Sequence, residues 1–420
     1  RDLGGSLEET GENHLRRELR VAHEGAAWSL RGFARYLQAL DGSRPYQALP
    51  QVELDLHPSG HGPLRYGLRG EFARFTRRDR ADGFADVTGS RVDLAPWVGL
   101  AWERPWGHLR PQLALRHTAW ALDDGFAGSD DRPTRTLPVA SLDAGLLFER
   151  ALGDGRTTQT LEPRLYYLHV PYESQSDLVR DRDGDAVVFD SIAPQLNLAE
   201  LFRDNRFTGA DLVGDANQLS YALTSRWLDA GDGSERARLG LGQVLYFRDR
   251  KVTLPGEAAA TASSSPLVGE AFAALGGGVG VSGALHWDPH DSETDLGALA
   301  LDYRPASDRL ARLGYRYNRA TLEQADLALS WPVSERWQFV GRWNYSLRAS
   351  TSLETFAGIE YKSCCWSARV VVREYARDSV TPDDKDLAVL FQLELKGLSR
   401  VGQDIGNFLA ASIPGYREPE

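Results

Sequence analysis

The two cysteines of this chain are neighbours, Cys364 and Cys365, in the stretch Tyr361-Lys362-Ser363-Cys364-Cys365-Trp366. Adjacent residues on extended backbone point to opposite faces, so a bridge between them would be strained. In an oxidising compartment each thiol would pair with a distant cysteine, and residues 1–420 contain no other. Either both partners lie outside these residues or both thiols are free. A metal is not expected, because two sulfurs without a nearby His or third Cys cannot complete a tetrahedron.

The remaining candidates for chemistry are weaker. Asp181-Arg182-Asp183-Gly184-Asp185 resembles the opening of a calcium loop, with alternate oxygen ligands and a glycine. It lacks the closing bidentate Glu, so a solvated acidic turn is expected. His286 and His290 flank Asp288-Pro289, and His57 and His61 share a Pro/Gly loop. Neither pair has a third ligand nearby. No G-x-S-x-G, Walker loop, H-E-x-x-H or dinucleotide fingerprint occurs. No catalytic residue, metal or cofactor is therefore expected, and the chain is not expected to be an enzyme.

Composition narrows the class. Forty-eight basic against 59 acidic residues give a net charge of −11, the wrong sign for a nucleic-acid footprint. Hydrophobic content of 42% is too high for disorder. A mean hydropathy of −0.39 is too low for a bundle of membrane helices, and the longest uncharged run, Ala271 to Trp287, is broken by five glycines. Transmembrane strands remain open. The chain begins with Arg1, contains no Met and shows no leader, so it is expected to be part of a longer protein.

What must position these residues is a period of two. Trp337, Phe339, Trp343, Tyr345 and Leu347 share one face, and Arg342, Asn344 and Ser346 the other. Leu313, Tyr315 and Tyr317 alternate with Arg312, Arg316 and Asn318; Val389, Phe391, Leu393 and Leu395 alternate with Gln392, Glu394 and Lys396. Alternate side chains of a strand lie on opposite sheet faces. About 20 such runs are separated by tight turns such as Pro305-Ala306-Ser307-Asp308 and Pro382-Asp383-Asp384 and by long polar connections at Asp123–Thr136, Glu173–Asp215 and Arg248–Pro266. Many runs reach about 10–12 residues, the length of a tilted membrane strand and not of a soluble sandwich. Aromatics close the runs at Trp97, Trp102, Trp106, Trp227, Trp287, Trp331, Trp337 and Trp366, as an interfacial girdle would. The expected fold is all-β, an antiparallel transmembrane barrel occupying residues 1–398. In the tail, 399–420, Ile405, Phe408, Leu409 and Ile413 fall on one face of a short helix, whose apolar side is expected to dock in the lumen or on its rim.

The best-defined blocks are neither catalytic nor periodic. They are Thr158-Gln159-Thr160-Leu161-Glu162-Pro163-Arg164, Tyr166-Tyr167-Leu168-His169-Val170-Pro171-Tyr172, Phe189-Asp190, Leu201 to Asp211, Asp215-Ala216-Asn217-Gln218-Leu219 and Gly242-Gln243-Val244-Leu245-Tyr246-Phe247. Pro45-Tyr46, Ser363-Cys364-Cys365-Trp366, Phe391 to Leu398 and Ile413-Pro414-Gly415-Tyr416 extend the set. In this order the blocks resemble the C-terminal barrel of the LptD (OstA/Imp) family of outer-membrane lipopolysaccharide-assembly proteins, from about Asp2-Leu3-Gly4 to the end.

The resemblance implies an integral protein of a Gram-negative outer membrane, with a barrel of about 26 strands of which these residues lack the first few. It implies the lipoprotein LptE as plug, a periplasmic jellyroll outside this chain joined to the Lpt bridge, and maturation by the barrel-assembly machinery. Lipopolysaccharide acyl chains would enter the bilayer while the sugar crosses the lumen and leaves by a seam between first and last strands. It implies disulfides from Cys364 and Cys365 to two cysteines near the protein's N-terminus. Leu387–Leu395 is expected to be the last strand, with Leu387, Val389, Phe391, Leu393 and Leu395 lining the seam. Arg312, Arg316, Arg342 and Arg369 are candidate lumen contacts for anionic sugar-phosphate, or simply solvated lumen charges or contacts to a plug. Competing readings are a passive porin, a plugged receptor or an outer-membrane hydrolase.

Overall fold

The computed structural model describes residues 14–39, 46–58, 62–77, 86–127, 130–153, 155–376, 384–396 and 399–416. The Asp2-Leu3-Gly4 block, Pro45, His61, Pro382-Asp383 and Gly397-Leu398 lie outside them. The first strands are β1 (His14–Glu24), β2 (Trp28–Ala39), β3 (Gln47–Leu56), β4 (Leu64–Thr76), β5 (Thr88–Leu100), β6 (Trp102–Arg104) and β7 (Gly107–Asp124). Next come β8 (Thr134–Leu146), β9 (Phe148–Leu152), β10 (Thr157–Val170), β11 (Ala216–Asp229), β12 (Glu235–Tyr246), β13 (Leu267–Gly276) and β14 (Val279–Asp288). The chain continues through β15 (Glu293–Ala306), β16 (Arg309–Asn318), β17 (Leu322–Pro332), β18 (Trp337–Ser346), β19 (Thr351–Lys362), β20 (Trp366–Ala376), β21 (Lys385–Leu395) and β22 (Ser399–Gly402), then helix α1 (Ile405–Ser412). No helix among the described residues is long and apolar enough to cross a membrane.

All strands join one antiparallel sheet as a meander, each pairing with its neighbours in sequence; β6 and β9 are short continuations beside β7 and β10. Register aligns the apolar positions into rows. Leu301 lies opposite Leu313, Leu313 opposite Leu327, and Leu327 opposite Trp343. These rows face outward: Leu313 is 53% exposed and Ile359 50%. The opposite face is polar yet buried, with Ser330, Gln338, Arg342, Asn344, Glu354, Glu360, Arg369 and Gln392 among its residues. Exposed apolar and buried charged side chains invert the order of a water-soluble protein and suit a wall between lipid and a polar interior.

The sheet curls around its own loops. Leu198 N–H donates to Glu270 of β13 at 3.1 Å, and Asp204 pairs with Arg69 of β4 at 3.4 Å. In a flat sheet those strands would stand about 34 Å apart, while the stretch from Leu198 to Asp204 reaches at most about 22 Å. The long connections all lie on one rim, together with the short turns after β14, β16 and β18, and the opposite rim carries short turns. Trp102, Trp106, Trp227, Trp331, Trp337 and Trp366 all sit at the short-turn end, whereas Trp287 is at the other rim. Trp97 departs from the expected girdle: its register places it inward, in a cleft with Arg116 and Asp204.

Two interior fillings occupy opposite walls. The connection from 171 to 215, with a single 3-10 turn at Glu200–Phe202, folds inward and packs Phe189, Leu201 and Val213 against strands from β4 to β13, while Phe207 and Leu212 pack on Val252 of the next long connection. From the short-turn end, α1 buries Ile405 and Leu409, and Ile413 follows, against Leu310, Ala328, Val340, Phe356 and Val371. One expectation needs correcting here. Leu387–Leu395 lies within β21 but is not the final strand, because β22 folds back and pairs Ser399–Gly402 with Gln392–Leu395. Ser399–Gly402 can bond there because the outer edge of β21 carries backbone groups that no other described strand takes up.

Candidate functional site

The tightest polar construction in the lumen holds the 171–215 segment to the wall. Arg91 of β5 faces inward and its side chain is wholly buried. Its Nη1 donates to Asp190 at 2.8 Å and to Asp211 at 2.5 Å; its Nη2 donates to Asp190 at 2.6 Å and to Glu71 of β4 at 2.5 Å. Asp211 Oδ2 also accepts the backbone N–H of Phe189 at 2.6 Å and of Asp190 at 3.0 Å. Arg135 of β8, equally buried, donates to Gln175 at 2.6 Å, to the Ala210 carbonyl at 2.9 Å and to Thr118 at 2.7 Å. Gln175 in turn bonds both backbone groups of Val213. Phe189 stacks on Phe75 with ring centres 4.7 Å apart, while Tyr46 meets its edge at 4.9 Å.

Three carboxylates converge on Arg91, so their environments differ. Burial pushes the Asp211 carboxyl up to about 6, against the pull of Arg91. Burial acts on Asp190 in the same sense, but Arg91 beside it holds that carboxyl below its ordinary value. Asp215, at the end of the segment, is also held low: burial is outweighed by the N–H groups of Lys251 and Val252 and by Arg206. These contacts tie the segment to the second long loop as well as to the wall.

The four wall arginines all face inward, but in two settings. Arg342 is buried between Asp326 at 2.7 Å and Glu354 at 3.0 Å, and Arg369 is buried against Glu360 at 2.9 Å. Their charge is compensated within the wall. Arg312, which pairs with Asp302 at 3.0 Å, and Arg316, which donates to Gln324 at 3.0 Å, are only half-buried; they line an open cleft with Arg238, Glu270 and Pro414, and Arg342 forms part of the same lining. Sequence periodicity gave no ground for separating the two pairs, because all four occupy the same alternating positions.

Cys364 and Cys365 are exposed, free thiols in the short turn between β19 and β20. Asp181 Oδ1 accepts the N–H groups of Asp183 and Asp185 at 3.0 Å each, closing an acidic turn on itself. His286 is buried on β14, and His290 bonds Ser264 at 3.0 Å. Among the described residues no group of three or more His, Cys, Asp or Glu is arranged to hold a metal ion. Sequence reasoning picked out Phe189-Asp190 and Leu201 to Asp211 as blocks but missed Arg91, Arg135 and Glu71. The available signal was an arginine at an inward position of a strand rich in Val and Leu.

A model of the family described as LPS transport system D, LptD, matches residues 1–337. The chain is 39% identical over 426 residues to the LPS-assembly protein LptD of Nitrosococcus oceani, covering 100% of this chain and 56% of that protein. It is 40% identical over 433 residues to the LPS-assembly protein LptD of Alkalilimnicola ehrlichii, covering 99% and 55%. The chain thus spans about half the length of these curated relatives. Among solved structures it is similar to the siderophore receptor PirA from Acinetobacter baumannii, with a TM-score of 0.42 and 9% identity over 94% of this chain and 74% of that one. That looser similarity carries no argument about function.

Proposed function

Because this chain belongs to the LptD family, we propose that it forms much of the wall of an outer-membrane conduit that places lipopolysaccharide in the outer leaflet. It is an integral β-barrel protein of the outer membrane. Its long-loop rim is taken as the cell surface and its short-turn rim as the periplasmic end. The observation that carries the reading is the division of faces: apolar rows outside and charged side chains inside. An amphiphile with acyl chains and an anionic sugar headgroup needs those two environments side by side and a lateral passage from one to the other.

In this reading residues 1–398 are barrel and 399–420 a tail. The edge at Leu387, Val389 and Phe391 is the lateral passage, with Leu393 and Leu395 beneath it. Arg312 and Arg316, in the open cleft, are the wall groups placed to meet sugar phosphates; Arg342 and Arg369 act in holding the wall together. LptE is the proposed lumen partner, the Lpt bridge docks through the portion of the protein beyond this chain, and the barrel-assembly machinery inserts it. Cys364 and Cys365 are the proposed sites of disulfides to that same portion. The chain works as a conduit, without catalysis or a cofactor. The filled lumen opposes a passive porin.

A photo-crosslinking residue at Arg312 or Arg316 of the full-length protein in cells should capture lipopolysaccharide, and capture should fall when supply from the inner membrane is blocked. Capture that is absent at both positions, or unchanged by the block, would refute the conduit.

A further inference from the structure

Most lumen-facing rings near the 171–215 segment are already engaged. Phe75 is covered by Phe189 and by the Arg91 guanidinium, Trp120 lies under Arg135 and donates to Asp211 at 3.3 Å, and Tyr166 packs edge-on with Phe202. Trp97 is different. Register sets it on β5 between Gly67 of β4 and Ala114 of β7, two residues with little or no side chain. The indole spreads over the glycine: a Cβ at position 67 would come within 2.7 Å of its Nε1 and 2.8 Å of its Cε2. Among the described residues no ring stacks on the indole, no cation covers it and no acceptor takes its N–H. The ring lines a half-open cavity of about 220 Å³, room for one sugar ring and less than a drug-sized ligand usually fills.

The rest of the cavity is polar, and its cations are all matched. Arg31 reaches Glu53 at 3.7 Å, Arg116 holds Asp93 at 3.1 Å, and Arg69 meets Asp204 at 3.4 Å. Two further carboxylates line it, Asp55 and Glu71, and Glu71 is turned to the buried Arg91. A phosphate would therefore meet more negative than positive charge there. Arg69 and Asp204 are about half exposed and share a single contact, which leaves other guanidinium N–H groups as donors and the second carboxylate oxygen as an acceptor. Asp204 and Val213 belong to the 171–215 segment, so the cavity is complete only while that segment is docked. An aromatic face beside convergent donors and acceptors is complementary to a sugar, which presents C–H groups on the faces of its ring and hydroxyls around its edge.

We propose that Trp97 is a stacking platform in the lumen for an uncharged, unphosphorylated sugar ring of the lipopolysaccharide headgroup, with Arg69 and Asp204 bonded to its hydroxyls. This deepens the conduit reading and rests on it for the source of the sugar. It divides the lumen by ligand chemistry, with phosphates directed to Arg312 and Arg316 and uncharged rings to Trp97. Trp97 stands near the short-turn end of β5, taken above as periplasmic, so a headgroup entering from that side reaches it early. Because Asp204 moves with the segment, an occupied cavity also favours the docked segment.

The test uses the full-length protein in a detergent with no sugar headgroup, and saturation-transfer NMR with methyl glucoside, methyl galactoside and glucose-6-phosphate as probes. At least one glycoside should bind saturably, and the phosphate about tenfold more weakly or less. Trp97→Ala should weaken the glycoside about tenfold, whereas Trp97→Phe, which keeps a ring face, should retain most of the binding. No saturable glycoside binding, or equal binding by the unaltered protein and Trp97→Ala, overturns the platform. Glucose-6-phosphate bound as tightly as the glycoside overturns the charge assignment. Amide exchange at Phe189 checks the fold: should Trp97→Ala free it, Trp97→Phe decides, with retained binding supporting the platform and lost binding overturning it. A photo-reactive residue at Ala95, which lines the same cavity, then identifies the source in cells. Capture of lipopolysaccharide supports the assignment to cargo, and capture of another glycan or of none overturns it. Glycoside binding is measured without cargo, so its failure is distinguishable from failure of lipopolysaccharide capture at Arg312 and Arg316.

Discussion

Replacing Arg91 with methionine should release the 171–215 segment from the lumen wall while leaving the sheet in place. Methionine keeps an unbranched stem against Phe75, whose ring lies 4.9 Å from the guanidinium, but removes the charge shared by Glu71, Asp190 and Asp211. The side chain has no solvent access, so water cannot take its place without the segment moving. Breaking a buried ion network by deleting one partner costs about 3–5 kcal/mol. At about 1.4 kcal/mol per tenfold, the open population of the segment rises roughly a hundred- to several-thousand-fold. Hydrogen exchange in the full-length protein reads this directly at the Phe189 and Asp190 amides, both of which donate to Asp211. They should exchange faster by that factor, while β17 to β19 on the opposite wall stay protected. Adding Asp190→Asn and Asp211→Asn should restore much of the protection, because the uncompensated charge is then gone. Unchanged exchange at Phe189 and Asp190 would show that Arg91 is not the latch, and an equal rise in β17 to β19 would mean general destabilisation.

Three further outcomes follow from the same geometry. The Asp211 carboxyl sits at about 6 when docked against an ordinary 3.8, so protons bind the docked state more tightly; docking is strongest below pH 4 and weakens through pH 6, by up to about 3 kcal/mol. Asp190 works in the opposite sense, but below its ordinary value. Amide exchange in 171–215, corrected for intrinsic rate, should therefore be slower at pH 5 than at pH 7, and acceleration at pH 5 would contradict the assignment. Gly209→Ala forces a left-handed residue (φ +65) and drives its Cβ into the Asp190 carboxyl; the backbone alone costs about 1–2 kcal/mol, so exchange at Asp190 should rise about tenfold or more. Leu313→Arg places a charge on the lipid-facing row, at about 2–4 kcal/mol near the bilayer midplane, read as a lower unfolding midpoint in detergent or bilayers; no shift would put Leu313 away from lipid.

Much of the wall was legible because its information is local. A strand reports its two faces every second residue, so Leu313 and Arg312 announce outside and inside wherever the sheet happens to lie. Turn residues and aromatic ends added the rims, and ordered blocks such as Tyr166 to Tyr172 brought the family resemblance. Trp97 shows the limit of that signal, since an aromatic near a strand end can face either way. The final strand shows another: β22 is too short to produce an alternating pattern, and Gln403 bonds the Phe391 backbone only after the chain has doubled back.

The sequence by itself determined the strands, the two faces, the inward arginines and the apolar stripe of the tail, each set by neighbours within a few residues. Tertiary structure alone decided which of those arginines are enclosed by carboxylates and what fills the lumen. Arg342 and Arg312 occupy equivalent alternating positions and line the same cleft, yet Asp326 and Glu354 on the adjacent strands bury Arg342 between two carboxylates. Arg91 meets Asp211 across 120 residues of chain, and no local period encodes a contact at that separation. The pairing exists because a curled sheet leaves an interior too narrow for unpaired charge, so the buried carboxylates of the segment must find whichever inward cation the register brings to them.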